Sequence, residues 1–220
     1  MKKKKLVIYG VGRFAEYVQY VFDNDSEFET VAFCIEKAYL SLEHFGNKPL
    51  IPFEDIFVEY PPEKFSMFIA VGSNFIRQRI FTKTKELGYT LASYISSKSS
   101  HWENLLYGEN VFVDEGCVLQ PFTRIGENTI LFTSQIGHHT SIGDHTLVSG
   151  SKTGGNVKIG DNCYVGLNAS IKQNLNIADG TIIGMGCIIE KDISESSVYT
   201  HKGTTKRKIE PDQIARLFLK

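Results

Sequence analysis

Hydrophobic and polar positions follow two rhythms along this chain, and the change comes near residue 100. Before it, short apolar runs alternate with helix-period segments. LVIY (6–9) predicts a strand, after which Phe14, Val18, Val21 and Phe22 fall on one side of a helix. ETVAFCIE (29–36) predicts a second strand and FSMFIAVGS (65–73) a third, with a loop marked by Gly46, Pro49 and Pro52 between them. A helix from about Asn74 to Lys85 stops at Gly88, and YTLASYIS (89–96) predicts a fourth strand. Strands alternating with helices imply a small parallel α/β domain.

From Val113 onward the pattern is a repeat. Aliphatic residues recur at 113, 119, 125 and 131, then at 136, 142 and 148, then at 159, 165, 171, 177, 183 and 189. Most steps are six residues; one is five and one is eleven. Four positions after most of them stands a small side chain: Cys117, Thr123, Thr129, Thr140, Thr146, Cys163, Ala169, Thr181 or Cys187. Gly often follows the aliphatic residue directly, as in IGENTI, IGDNCY and IGMGCI. Such hexapeptides predict a three-sided solenoid. Each contributes one short strand and one corner, the aliphatic residue points inward, and the small residue fits the corner. Coils stacked at one strand spacing, roughly 4.8 Å, would build a prism about 20 Å tall. An antiparallel sandwich would not need so regular a register.

Length and charge narrow the function. The 220 residues carry 24 Lys+Arg against 25 Asp+Glu, a net charge of −1, which argues against a nucleic-acid binder with a basic face. A hydrophobic fraction of 42% with 22% charged residues is globular. The apolar run after MKKKK is too short for a signal peptide, and no run suits a membrane span, so a cytoplasmic location is expected. Cys34, Cys117, Cys163 and Cys187 show neither pairing nor CxxC spacing. They read as buried packing groups, and no metal is expected.

Two regions carry candidate chemistry. Gly10-Val11-Gly12-Arg13-Phe14-Ala15 fits G-x-G-x-x-A between a strand and a helix, a turn whose glycines let backbone approach a phosphate. A nucleotide diphosphate suits so small a domain better than a dinucleotide. Arg13 is placed for a pyrophosphate, Glu36 at the end of the second strand for a ribose or base, and Ser73 and Asn74 for the same crevice. The other region is IGHHTSIGDHTLVSGSKTGGNV, where His138 and His139 sit at a solenoid corner and SGSKTGGNV (149–157) breaks the rhythm. A neutral imidazole can take a proton at neutral pH. Gly154 and Gly155 are candidate oxyanion donors. Asp144 is a candidate source of negative charge, and His145 is the rival base. His101 and His201 match no role.

YGVGRFAEYV (9–18), VGSNFIRQR (71–79) and IGHHTSIGDHTLVSGSKTGGNVKIGDNCYVG (136–166) resemble the PglD/NeuD-type bacterial sugar acyltransferases, of the left-handed β-helix, hexapeptide-repeat acetyltransferases. The resemblance implies a Rossmann-like nucleotide-sugar-binding domain (1–98), a left-handed parallel β-helix acyltransferase domain (99–205), and a C-terminal tail with a capping helix (206–220). It implies an acetyl-CoA-dependent N-acetyltransferase for a nucleotide-linked amino sugar of surface glycans such as O-antigen, working as a homotrimer by direct transfer. His138 would be the general base and His139 its orienting partner, where the family commonly has an acidic residue. Gly10, Gly12, Arg13, Phe14, Glu36, Ser73 and Asn74 would bind the nucleotide sugar. Gly154, Gly155, Gly166, Gly184, Met185, Lys206 and Arg207 would bind acetyl-CoA. Where the family has Gly and His this chain has Arg13 and Phe14, and VYTHKGTTKRKI (198–209) replaces the usual G-x-P-A-K. Sugar O-acetylation, a silent nucleotide-sugar binder and a β-helix zinc enzyme of the carbonic anhydrase type are the alternatives.

Overall fold

The computed structural model describes residues 3–206; Arg207, Lys208 and the helix expected over 209–220 lie outside them. In the first domain β1 (Lys4–Tyr9), β2 (Phe28–Ile35), β3 (His44–Phe45), β4 (Lys48–Pro52) and β5 (Ser66–Ile69) form one sheet in the order β3-β4-β2-β1-β5. All pairings are parallel except β3 with β4. Leu6, Val7, Ile8 and Tyr9 of central β1 are all buried, as an apolar run covered on both faces must be. Helix α1 (Arg13–Asp25) buries Ala15, Val18, Val21 and Phe22, the expected face. The short α2 (Ile56–Glu59) precedes β5, and α3 (Asn74–Glu86) ends before Gly88, whose φ of 84° accounts for the glycine.

Two expectations are corrected. The segment read as a loop around Pro49 and Pro52 contains β4, which pairs with β2 in the sheet. Pro49 and Pro52 stand toward the strand's ends, where a missing ladder N–H is tolerated. The segment 89–96 is not a fourth strand of this sheet. Leu91 makes one bridge to Met67, while Tyr94–Ile95 pairs with Phe112–Val113 in the next domain.

Beyond it the chain winds into a three-sided, left-handed parallel β-helix, whose sides are three sheets of short stacked strands. Val113, Leu131, Val148, Val165 and Ile183 stack in turn on one side, so successive coils take 18, 17, 17 and 18 residues. All thirteen recurring aliphatic positions lie in one buried core, as do the small corner residues. The eleven-residue step hides a regular strand, Lys152–Thr153, whose Thr153 pairs with Ile171 in the aliphatic slot. SGSKTGGNV is therefore an ordinary side and corner rather than an insertion.

The domains join through a continuous core. Phe112, Ile130 and Leu147 point outward from the solenoid and are buried among Leu6, Ile8, Val18, Phe22 and Phe68 of the first domain. Phe14 meets Phe112 and Phe132 edge-on, each at 5.5 Å between ring centres, and the Tyr17 hydroxyl donates to Asp114. Beside this apolar seam lies the Arg77 guanidinium, fully buried. Its Nε donates to the Asn128 carbonyl at 2.9 Å and its Nη2 to the His145 carbonyl at 2.8 Å, across the seam. Nη1 donates to the Val71 and Gly72 carbonyls, both at 3.1 Å. Burial pulls the guanidinium pKa down to about 9. Arg77→Ala would leave these carbonyls unpaired in a cavity, so a loss of about 3–5 kcal/mol is expected in urea unfolding. A change below about 1 kcal/mol would contradict this role.

Candidate active site

The first candidate site lies at the carboxyl ends of β1, β2 and β5. Gly10 has φ 122° and Gly12 φ 152°, and a Cβ at Gly10 would stand 2.8 Å from the Ala70 carbonyl oxygen, so this turn requires glycine. The turn opens a cleft of about 380 Å³ lined by Gly10, Gly12, Arg13, Glu36, Tyr39 and Arg79, among others. The Arg13 side chain is almost wholly exposed and pairs with Glu16 at 3.0 Å. Phe14 borders the cleft, but its ring is engaged in the interdomain seam. Glu36 is not a free acceptor for a ribose. Arg79 grips both its oxygens, at 2.7 and 2.6 Å, and Lys83 lies 3.5 Å away. The hydrogen bonds from Arg79 hold the Glu36 carboxyl below its ordinary pKa.

Ser73 and Asn74 do not line this cleft. Asn74 turns toward the β-helix, where its Nδ2 donates to the Cys163 carbonyl at 2.8 Å and its Oδ1 accepts from Arg77 at 3.0 Å. The cleft residues missed in the sequence are Tyr9, Tyr39, Ile76 and Arg79. RQR on a helix gave one usable signal, since residues two apart point to different sides: Arg77 to the seam, Arg79 to the cleft.

The second candidate site is the corner holding the histidines. His139 adopts φ 59°, the left-handed corner slot that Asn156 and Asn174 fill in the coils above. The backbone here is regular, so His138 and His139 do not interrupt the corner. The His138 amide donates to Gln120 Oε1 at 2.9 Å, and the His138 carbonyl accepts from the Asn156 amide at 2.7 Å. Its exposed imidazole lies against Gly155, where a Cβ would sit 2.5 Å from ring atoms Cε1 and Nε2. The Nδ1 atoms of His138 and His139 are 3.0 Å apart.

Several expected roles change here. The Gly154 amide donates to the Ile171 carbonyl at 2.8 Å, so it is engaged in the coil ladder and is not an oxyanion donor. Gly155 packs directly against the His138 ring, and Gly154 against Gln173. Gly166 and Gly184 likewise serve coil stacking, since a Cβ would stand 2.9 Å from the Met185 amide nitrogen and 3.0 Å from the Tyr199 carbonyl oxygen, respectively. Met185 extends into solvent, and Lys206 is exposed. Asp144 gives no charge to His138: its Oδ1 accepts from the Glu127 amide at 2.7 Å, on another corner. Cys34, Cys117, Cys163 and Cys187 are all buried, and burial raises the pKa of the first three, as expected of packing groups.

His145 occupies a different column. Asn110 Nδ2 donates to Asn128 Oδ1 at 2.7 Å, which leaves Asn128 Nδ2 to donate to His145 Nδ1 at 2.8 Å. That direction makes His145 a neutral imidazole with its proton on Nε2, and the Phe81 ring stands 5.5 Å from it. Burial lowers its pKa, and the Arg77 charge adds to the effect. His145 is thus a seam residue.

Residues 5–84 match the family model of the PglD N-terminal domain. The acetyltransferase domain of PglB from Neisseria gonorrhoeae superposes with a TM-score of 0.81 at 21% identity, over 89% of this chain and 96% of that one. PerB from Caulobacter crescentus, solved with CoA and GDP-perosamine, gives 0.78 at 21% identity over 88% and 92%. WeeI from Acinetobacter baumannii gives 0.69 at 22% identity over 89% and 94%.

Because His145 is neutral in the fold and its pKa is lowered, the unfolded chain binds the extra proton as pH falls below the ordinary 6.5. His145 therefore supports stability fully above that pH and progressively less below it. His145→Asn, which suits the left-handed slot, is expected to flatten this acid-side loss in thermal unfolding between pH 7 and 5. An unchanged slope would contradict the neutral assignment. Residues 5–84 are similar to the PglD N-terminal domain, and the chain as a whole shares its two-part fold with the acetyltransferase domain of PglB.

Proposed function

We propose that this chain is an acetyl-CoA-dependent N-acetyltransferase acting on a nucleotide-linked amino sugar. The observation that carries this reading is the exposed His138 imidazole, packed against Gly155 with its Nδ1 3.0 Å from Nδ1 of His139. An amine attacking a thioester must lose a proton as the C–N bond forms, and an exposed imidazole is suited to receive it. Direct transfer, without a covalent acyl-enzyme, belongs to this reading. The glycine turn and its cleft suit the nucleotide diphosphate, with Arg13 free to swing from Glu16 toward the pyrophosphate.

The related proteins support the substrate class: the PglB domain is known with acetyl coenzyme A and PerB with CoA and GDP-perosamine. A homotrimer, a cytoplasmic location and a place in surface-glycan synthesis belong to the same reading. Exposed apolar strand residues such as Tyr164, Ile182 and Ile188 are the surface a trimer contact would cover. The pantetheine arm would run along the flat corner of Gly166 and Gly184, with Met185 beside it. The division at 98 and 205 belongs to this reading as well.

The test is thiol release from acetyl-CoA with a panel of nucleotide 4-amino-sugars, including GDP-perosamine, and their hydroxyl counterparts. Release with an amino sugar alone is expected; release only with hydroxyl sugars, or with none, would contradict the proposal. His138→Ala is expected to lower the rate about 10²–10⁴-fold with acetyl-CoA affinity little changed. Gly155→Ala should displace the ring and cost roughly 10²-fold, with unfolding nearly as in the wild type. Normal turnover in either variant would move the base elsewhere.

A further inference from the structure

We propose that His139 is the proton store of the His138 base, and that the Phe122 ring holds the charge there. This rests on His138 being the base. A hydrogen bond between two Nδ1 atoms 3.0 Å apart needs one proton on that line, so one ring donates and the other accepts. For His138 to offer a lone pair at Nε2, its own proton must be on Nδ1, pointing at the lone pair of His139. His139 is then protonated at Nε2. When His138 takes a proton at Nε2, the proton between the rings can cross to His139, and the charge moves one ring outward. A carboxylate partner would neutralise the charge; an imidazole partner accepts it.

Three observations single out His139 as the place where that charge rests. Among the described residues, no Asp or Glu oxygen lies within 4.0 Å of a nitrogen of either ring, so no ion pair fixes the charge on His138. The residues bonded to or packed on the pair carry no charge, namely Gln120, Pro121 and Phe122 in the coil below and Gly155 and Asn156 in the coil above, while Lys152 shares a small cavity with Gln120 and Gly137. The Phe122 ring centre is 4.5 Å from that of His139, within cation–π range.

Phe122 is also the structural anomaly of this corner. It takes φ 67°, a left-handed conformation rare for a bulky residue, and is 60% exposed. It gains little burial in return; its ring lies on His139 and borders a small cavity with Leu106 and Arg124. Arg124, two residues after Phe122, is the charged residue lining that cavity.

The step balances. The amine N–H bond breaks as the C–N bond forms, and its proton goes to His138 Nε2 while the Nδ1 proton crosses to His139. When the C–S bond breaks, the electron pair leaves on sulfur, which takes the proton from His138 Nε2. The stored proton returns to His138 Nδ1 in the same step as Nε2 gives its proton to sulfur, so the ring never becomes an anion and no net proton is gained.

The test reads ring protonation by 15N NMR of the full chain labelled at histidine, with His138→Ala and His139→Asn assigning the signals. In the neutral pair, His138 is expected to carry its proton on Nδ1 and His139 on Nε2. After the pair takes up one proton, His139 should be protonated at both nitrogens and His138 at Nε2 alone. A His138 ring that becomes doubly protonated beside a neutral His139 would overturn the proposal. Phe122→Leu should return part of the charge to His138; an unchanged distribution would remove Phe122 from the account.

His139→Asn supplies the kinetic arm. Six of the ten non-glycine residues with positive φ are Asn, so this slot accepts it without backbone cost. Asn Oδ1 still accepts from His138 Nδ1 but cannot take the proton. A fall of roughly 10-fold or more is expected with the acceptor active in the panel, and an unchanged rate would overturn the store. Full activity in His138→Ala would instead sink the base itself, which the ring protonation states report separately.

Discussion

The buried Arg77 guanidinium constrains everything around it. A charge without a carboxylate partner is held inside the protein only because backbone carbonyls surround it, and those carbonyls come from both domains. Val71 and Gly72 end the β5 segment beside the glycine turn, while Asn128 and His145 are stacked corners of the solenoid. The guanidinium can be satisfied only when these pieces stand in one relative position. The aromatic seam of Phe14, Phe112 and Phe132 supplies apolar burial, which has little directional demand; Arg77 supplies the direction.

That rigidity bears on the chemistry. The glycine turn follows β1, which pairs with the β5 strand that leads to Val71 and Gly72, so the cleft is fixed to the β-helix rather than tethered to it. The solenoid imposes its own order on the histidines. Corners repeat at intervals of 17 or 18 residues, and the slots before and within the left-handed position stack into columns. In one column Asn110, Asn128 and His145 form a one-way chain of hydrogen bonds that keeps an imidazole neutral. In another, an exposed imidazole packs against Gly155 of the next coil, where a Cβ would not fit beside it. The left-handed slot therefore holds His145 in one column and His139 in the other, distinguished by their neighbours.

Much of this was legible in the residues because the solenoid's slots are strict. The thirteen inward aliphatic positions and the nine small corner residues all fall where the repeat put them. Thr153 hid one strand because a polar residue stands in an aliphatic slot, and the corner after it then looked like an insertion. Pro49 and Pro52 hid β4, since prolines argue against a ladder until its neighbours are known. Asn74 read as a cleft residue because burial across a domain seam leaves no local pattern. Glu36 was correctly placed at its strand end, but Arg79 of α3 already holds its oxygens. The departure from an acidic residue at position 139 was visible as a letter; its meaning needed the Nδ1 separation and the Phe122 ring.

The central claim is that an acetyl group passes from thioester to sugar nitrogen in one step at His138. Single-turnover rapid quench with acetyl-CoA labelled at the acetyl carbonyl with 13C, followed by 13C NMR of the sugar and mass analysis of the protein, tests it most directly. The account requires the label in an amide of the sugar and never on the polypeptide. A labelled ester, or protein heavier by one acetyl group before the sugar is added, would contradict it.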